Sequence, residues 1–421
     1  MQDGSEPDVL VVGAGVAGLW CAYFLRRAGL RVTLLDRTAV GDPAACSSGN
    51  TGFLGAGGVP LAGPGALRDG LRSLLRPDDR LALPPTLRAD RLRWLGQFHR
   101  AGSAQQVRRS VTGMLALKRR SWQLVEELPA AGFTASGMLH AYRTEAGFAR
   151  ARQDVSRLVE SGVPMRVLTP AELRTLEPDT EFAIAGALYN PDAGFFAAPE
   201  FSVNLARTLT GMGVEVRQHA AVTRFGTAAG KVTEVRTSSG SIRPAELVLA
   251  AGSWTAALAG LLELTLPVQP VKGYAVTVKA PANAPRHPVL LSEGTVAVRP
   301  LGDRLRFAGD LALAGLDRAI AQRRVDRMLA TVRSHLPALE LAEPIDVWTG
   351  FRPCTPDSLP LLGRVQEYSN VTIATGHGHN GMSLAPAAGE LVAQLLTDQD
   401  VAVDASLFDV NRFAPARRRF R

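Results

Sequence analysis

The sequence predicts an α/β fold, and three features of its first forty residues do so. Two short apolar runs, at residues 9–12 and 32–35, have the pattern of strands buried on both faces. Between them a helical pattern through Trp20-Cys21-Ala22-Tyr23-Phe24-Leu25 stops near Gly29. The turn into that helix is Gly13-Ala14-Gly15-Val16-Ala17-Gly18. Gly13 permits the tight turn, Gly15 lets backbone approach a pyrophosphate, and Gly18 lets the helix pack on the sheet. Free N–H groups at the helix start favour the negative charge. Asp36, eighteen residues after Gly18, stands where a carboxylate accepts from both hydroxyls of an adenosine ribose. Strand, glycine turn, helix, strand and acid together predict a dinucleotide site.

At 421 residues the chain has room for two domains with separate cores. Hydrophobic content of 46% with 20% charged residues describes a globular protein and excludes a disordered one. A net charge of +8 raises nucleic acid or an anionic membrane as partners. Only four of the forty-seven basic residues are Lys, however, and no basic stripe is interleaved with aromatics. The charge is thus a bias towards Arg, and no nucleic-acid partner is expected. Cys21, Cys46 and Cys354 form no CxxC and no even framework, so they read as small core residues in a reducing compartment, with no metal. No apolar run reaches the roughly eighteen residues of a membrane span. A cytoplasmic protein is expected, with Arg417-Arg418-Arg419-Phe420-Arg421 as a solvated tail that at most touches the inner membrane face peripherally.

The remaining elements follow in order. The loop Cys46-Ser47-Ser48-Gly49-Asn50-Thr51-Gly52-Phe53-Leu54-Gly55-Ala56-Gly57-Gly58 is small and polar enough to wrap a ligand. Residues 60–130 read as helical, broken at Pro77 and Pro84-Pro85, with the clearest helices at 91–99 and 107–128. A strand at 137–142 and a helix at 145–161 follow, then a short helix capped by Thr169 with Pro170 in its first position. Tyr189, Phe195, Phe196 and Phe201 surround a turn at Pro191-Asp192, as pocket wall or as core. Strands are predicted at 214–217, 221–225, 231–236 and 247–251, the last ending in small residues that admit a ligand to backbone. Residues 268–310 alternate strands and turns, and 319–336 read as a helix. The stretch from Val371 to Ala385 repeats the opening logic of buried strand, glycine turn and helix start.

Six separated motifs then coincide in order over nearly the whole chain. They are Gly13-Ala14-Gly15-Val16-Ala17-Gly18, Ser47-Ser48-Gly49-Asn50, Ala250-Ala251-Gly252-Ser253-Trp254, Pro270-Val271-Lys272-Gly273-Tyr274, Gly350-Phe351-Arg352-Pro353 with Thr355-Pro356-Asp357, and Gly376-His377-Gly378 with Asn380-Gly381. With these, the sequence resembles the FAD-dependent D-amino acid oxidase superfamily, and most closely bacterial D-amino acid dehydrogenases. The helical stretch between Gly58 and Arg120 resembles the dehydrogenase branch, whereas His379-Asn380-Gly381 and Phe53-Leu54 are similar to glycine and sarcosine oxidases.

The resemblance implies a Rossmann-like FAD-binding domain in three segments (6–130, 199–262 and 346–400). It also implies an α+β substrate domain with a large mixed sheet (131–198 and 263–345), and a tail from 401 to 421. Non-covalent FAD is implied, its ADP half held by Gly13, Gly15, Val16, Ala17, Gly18, Asp36 and Arg37. Ser47, Ser48, Asn50, Thr51 and Gly52 would contact phosphates and the flavin edge, and Val222 would meet adenine through backbone. Ala251, Gly252 and Trp254 complete that half. The turn holding Gly378, His379, Asn380, Gly381, Met382 and Ser383 would face the pyrimidine end of the flavin, where a helix start stabilises negative charge.

For substrate, Arg352 carries the expectation, because its planar fork suits a carboxylate bidentately. Tyr274 is expected to bond the same carboxylate, and Phe53 to border the substrate. His379 and His377 are candidate bases, or plain turn residues donating to backbone. Lys272, as one of the few lysines, is a candidate for tuning the flavin or its reaction with oxygen. The implied reaction is oxidation of a D-amino acid, or a D-proline-like secondary amine, by hydride transfer from Cα to flavin N5. The imine then hydrolyses to a 2-oxo acid, and the electrons pass to oxygen, a quinone or another carrier. The rivals are glycine or sarcosine oxidation, a 2-hydroxy acid dehydrogenase, and an FAD-bearing electron-transfer subunit.

Overall fold

In the computed structural model, residues 6–55, 81–82, 89–128, 132–160 and 162–414 are described. The end of the small-residue loop, the breaks at Pro77 and Pro84-Pro85 and the arginine tail lie outside them.

Strands Val9–Val12 and Val32–Leu35 are buried at every position, as their apolar runs predict. They sit in a six-stranded sheet ordered Glu215–Arg217, Val32–Leu35, Val9–Val12, Glu246–Leu249, Val371–Thr375, Leu361–Arg364. The first five run parallel and the last is antiparallel. Helices Val16–Arg27 and Gly381–Leu396 share one hydrophobic core with inner faces of these strands. They approach so closely at Gly389 that a Cβ there would lie 2.6 Å from the backbone carbon of Trp20. Helix Ala104–Glu126 docks on the C-terminal helix through Arg120, whose Nε and Nη2 donate to Glu390 at 2.7 and 2.5 Å. A three-stranded sheet (Val222–Ala228, Lys231–Thr237, Gly240–Ile242) covers the other face, where Phe225 and Val235 join Leu10, Val12 and Leu249 in a second core.

The second layer is a nine-stranded mixed sheet. Its order is Asp346–Cys354, Gln269–Lys279, Arg304–Ala312, Val296–Leu301, Val289–Leu291, Met138–Tyr142, Gly186–Asn190, Arg166–Leu168, with Leu81–Ala82 paired to Arg304–Ala312. Helix Gln322–His335 buries Val325, Met328 and Val332 against Val276, Val278 and Phe307. It starts later than the sequence predicts, because Ala319 N donates to Asp317 Oδ1 at 2.9 Å in a preceding turn. Strand Asp346–Cys354 pairs with Gln269–Lys279 at nine successive positions. By sheet membership, then, the boundary expected before residue 346 falls after Cys354. Thr169 caps helix Pro170–Leu176 with Glu172 completing a capping box.

The turn at Pro191-Asp192 carries the chain from the large sheet into a small one made of Phe53–Gly55, Ala193–Phe196 and Phe133–Ala135. Phe196 and Phe201 pack 4.8 Å apart in the first core and wall no pocket. Gly389→Ala is expected to destabilise the protein by about 1–3 kcal/mol, since the added methyl meets backbone that cannot yield. Thermal unfolding of the cofactor-loaded protein measures this, and an unchanged midpoint would show that the helices have slack.

Candidate active site

One cavity of about 960 Å³ lies where the parallel strands end and the large sheet begins. That is the upper end of the roughly 300–1,000 Å³ range of small-molecule sites, and it suits a dinucleotide with a substrate. The ends of parallel strands are where such ligands collect in an open α/β sheet.

At one end, Gly13 takes φ +109°, and a Cβ there would sit 2.7 Å from Ala250 O, so only glycine makes this turn. Around Gly15 the space is open, its nearest neighbour to an added Cβ being Ser47 Oγ at 3.6 Å. Helix Val16–Arg27 starts with no side-chain cap from Gly15, although Val16 N donates to Ser47 Oγ at 3.2 Å. Asp36 is held by Ala14 N at 2.7 Å and by Thr38 N at 2.9 Å. The Arg37 guanidinium lies 4.0 Å over the Trp254 ring. Ala17, Val222, Ala251 and Gly252 complete this wall.

Three expected contacts do not reach the wall. Gly18 serves helix packing, as its motif predicts, since a Cβ would strike Gly13 O at 1.7 Å. Ser48 Oγ donates to Asp42 O at 2.8 Å and so closes its own loop instead of meeting phosphate. Gly52, at φ +75°, lies against Phe196 O and feeds the chain into strand Phe53–Gly55. Asn50 Oδ1 accepts from Gly52 N at 2.7 Å, and Asn50, Thr51 and Phe53 do line the cavity.

The C-terminal turn supplies the facing wall with Gly378, His379, Asn380, Gly381, Met382 and Ser383. Helix Gly381–Leu396 begins there without a side-chain cap, leaving its first N–H groups for a ligand. Ser383 Oγ donates to Phe53 O at 2.6 Å and ties this turn to the small-residue loop. His377 Nε2 is buried at the same wall with no protein partner among the described residues. Two uncapped helix starts, a glycine cradle and an orphaned polar atom fit an elongated ligand with a pyrophosphate and a polar ring, as FAD has.

Arg352 lies in strand Asp346–Cys354 and faces the cavity. Among the described residues its one hydrogen bond is Nη1 to Asp310 O, at 2.9 Å. The Asp310 carboxylate acts on it only through space, its oxygens being taken by Arg324 Nη1 at 2.6 Å and Arg327 Nη2 at 2.9 Å. Burial pulls the guanidinium pKa down, but an arginine stays charged. Room for it comes from Gly273, where a Cβ would lie 2.1 Å from Arg352 Nη1.

Tyr274 is not its partner. Arg352 pairs with Val271 and Gly350 with Gly273, so Tyr274 and Lys272 project from the opposite face of the sheet. Tyr274 borders the cavity, yet its hydroxyl takes a hydrogen bond from the Ala321 backbone and its ring packs in the core. Lys272 Nζ donates to Ala319 O and pairs with Asp317 at 3.7 Å, away from the cavity, which removes it from the flavin. His379 does line the site, with Nε2 3.1 Å from Asn380 Nδ2. Its pKa falls to about 3, through burial first and then the charges of Arg352 and Lys118. Burial alone takes His377 to about 4. Bases so weak do not hold an ammonium proton near neutral pH.

Other residues of this wall escaped the sequence reading. Lys118, on helix Ala104–Glu126, is buried in the cavity wall, and burial lowers its pKa to about 8. The detectable signal was a cation on the stripe of Met114, Leu117, Ser121 and Val125 that faces the core. His140, brought to about 4 by burial and then by Lys118, lies beside it, and Tyr142 and Asn190 follow. Trp348 spreads its ring over Gly49 and Gly350, where added Cβ atoms would meet it at 2.1 and 1.9 Å. Cys46 is a wall residue and not core filling, its Sγ accepting from Phe351 N at 3.1 Å, whereas Cys21 and Cys354 are core.

Residues 8–395 match the family described as FAD dependent oxidoreductase. A D-amino acid dehydrogenase of Methylobacterium nodulans is 34% identical, over 92% of this chain and 95% of that protein. A D-amino acid dehydrogenase of Vibrio vulnificus is 30% identical, over 96% of this chain and 99% of that one. Among solved structures, a glycine oxidase from Geobacillus kaustophilus superposes with a TM-score of 0.74 at 26% identity, covering 97% of this chain and 99% of that one.

His140 and His377 have folded pKa values below the ordinary 6.5. Between about 6.5 and 4 the unfolded chain therefore binds protons that the folded one refuses, and stability falls as pH falls. Unfolding of the cofactor-free protein in urea at stepped pH is expected to lose about 1.4 kcal/mol per pH unit for each proton. A flat profile across that window would mean that these imidazoles titrate freely in the folded state.

Proposed function

The chain belongs to the FAD-dependent oxidoreductase family, and on that premise we propose that it oxidises a D-amino acid, or a cyclic secondary amine of the D-proline kind, at Cα. The broader statement needs no proposal: it is an FAD-dependent oxidoreductase acting on amine or amino-acid substrates. The imine formed would be hydrolysed by water to the 2-oxo acid.

Arg352 is the observation that supports this reading. A half-buried guanidinium at a cavity wall, with no carboxylate bonded to it among the described residues, is under-satisfied until a ligand supplies one. A substrate α-carboxylate would do so, with Asp310 O fixing Nη1 and the absent side chain of Gly273 leaving the fork room. Clamping that end fixes the orientation of Cα, which is a large part of what a protein contributes to such a reaction.

Bound FAD would supply the two-electron acceptor, its ADP half at Gly13, Gly15 and Asp36 and its ring near the start of helix Gly381–Leu396. We propose no covalent link, and burial, by raising the Cys46 pKa, disfavours the thiolate that such a link would need. The amine has to be neutral to give up its Cα–H as hydride. Lys118 and Arg352 disfavour an added positive charge nearby. The neutral His379 imidazole does not retain the departing proton, so it passes to water and no dedicated base is required.

Anaerobic addition of D-amino acids is expected to bleach the flavin, while their L-enantiomers and lactate-like acids leave it yellow. Bleaching by glycine or sarcosine alone, or by hydroxy acids, would replace this substrate class with that one. Arg352→Ala is expected to keep FAD and raise KM by about thirty-fold or more, the equivalent of at least ~2 kcal/mol. Unchanged kinetics would remove Arg352 from the site.

A further inference from the structure

The cavity wall holds a buried cation that the α-carboxylate does not use. We propose that Lys118 reads an acidic group on the substrate's side chain, so that the enzyme prefers amino dicarboxylic acids to neutral amino acids of the same length. This deepens the preceding reading and rests on it, since Arg352 must take the α-carboxylate.

Lys118 is 3% exposed and lines the same cavity as Arg352. The positive charges of both Arg352 and Lys118 bear on one imidazole of that wall, His379. Lys118 also bears on His140, which pairs with Leu290 in the large sheet and lines the cavity too. Both imidazoles are neutral, so neither adds to nor offsets the charge.

The carboxylates at the cavity wall are committed elsewhere. Asp36 takes backbone N–H groups at the glycine turn, Asp42 accepts from Ala44 N at 2.7 Å, and Asp310 is bridged by Arg324 and Arg327. The Lys118 ammonium has a partner within the protein, yet it carries three donors and is not exhausted by one. A carboxylate on the substrate would add a charge-assisted bond to this cation that a neutral side chain cannot. Lys118 comes from helix Ala104–Glu126 and Arg352 from strand Asp346–Cys354, on different walls, which suits a ligand with an acid at each end.

The test uses the FAD-loaded enzyme with D-glutamate against D-glutamine, and D-aspartate against D-asparagine, pairs that differ in charge and hardly in shape. The acidic member is expected to have at least tenfold higher kcat/KM. Lys118→Met is expected to lower that ratio at least tenfold, mainly through KM for the acid, and Lys118→Arg to keep most of it. Flavin content and the near-ultraviolet circular dichroism of each variant show whether it has folded. The proposal is overturned if the wild type favours the amide, or if Lys118→Met lowers acid and amide by the same factor. Bleaching by neutral amino acids but not acidic ones would sink the proposal and leave the amine-oxidation reading standing. If no amino acid bleaches the flavin, both fall together.

Discussion

The structure turns on a half-buried guanidinium at the cavity wall that no carboxylate bonds among the described residues. Leaving Arg352 there is unfavourable, and its surroundings are arranged to hold it regardless. Asp310 presents its carbonyl from a left-handed conformation, φ 63°, uncommon for a residue with a side chain. Its carboxylate is pinned between Arg324 and Arg327 on helix Gln322–His335, so that segment of chain cannot relax. Gly273 leaves a gap the width of the fork, and Gly350, two residues before Arg352, lies under the Trp348 ring. The charge is thus held in place by the protein's own framework, ready for an anion.

A clamp is useful only if its distance from the cofactor is fixed. Two arginines of the large sheet, Arg299 buried and Arg306 half-buried, do this from the other side. Arg299 and Arg306 face each other across neighbouring antiparallel strands, a like-charge pairing that is normally destabilising. Each reaches the small-residue loop, Arg299 Nη1 donating to Thr51 O and Arg306 Nη1 to Ser48 O at 3.3 Å. Arg299 also lies 4.1 Å over the Phe195 ring. The substrate sheet thus grips the loop that lines the dinucleotide cavity, and two layers of separate topology act as one rigid frame.

The opening β-α-β unit, the Thr169 cap and the C-terminal strand-turn-helix were legible in the sequence because each is decided by neighbours within a few residues. Arg352 was legible because its local motif is unusual. Tyr274 misled because its place beside Lys272 and Gly273 says nothing about sheet face; that depends on pairing with residues 349–354, some eighty positions away. Ser48 misled for a similar reason, since its hydroxyl satisfies the loop before it can serve a ligand. Lys118 was hidden on a helix whose core-facing stripe looked ordinary, and only the packing of that helix on the C-terminal one turns it to the cavity.

Strand Val9–Val12 lies between Val32–Leu35 on one side and Glu246–Leu249 on the other, with Val371–Thr375 next beyond. Its second neighbour leaves the ribosome more than two hundred residues later and the next one after a further hundred. At roughly 5–20 residues per second, the nascent amino-terminal unit waits on the order of tens of seconds with an unpaired apolar edge. Flavin cannot shelter it in that interval, because the cavity's far wall is made last. Such a chain should depend on holdase chaperones during translation, and its yield in a foreign host should be limited by elongation speed more than by the stability of the finished protein.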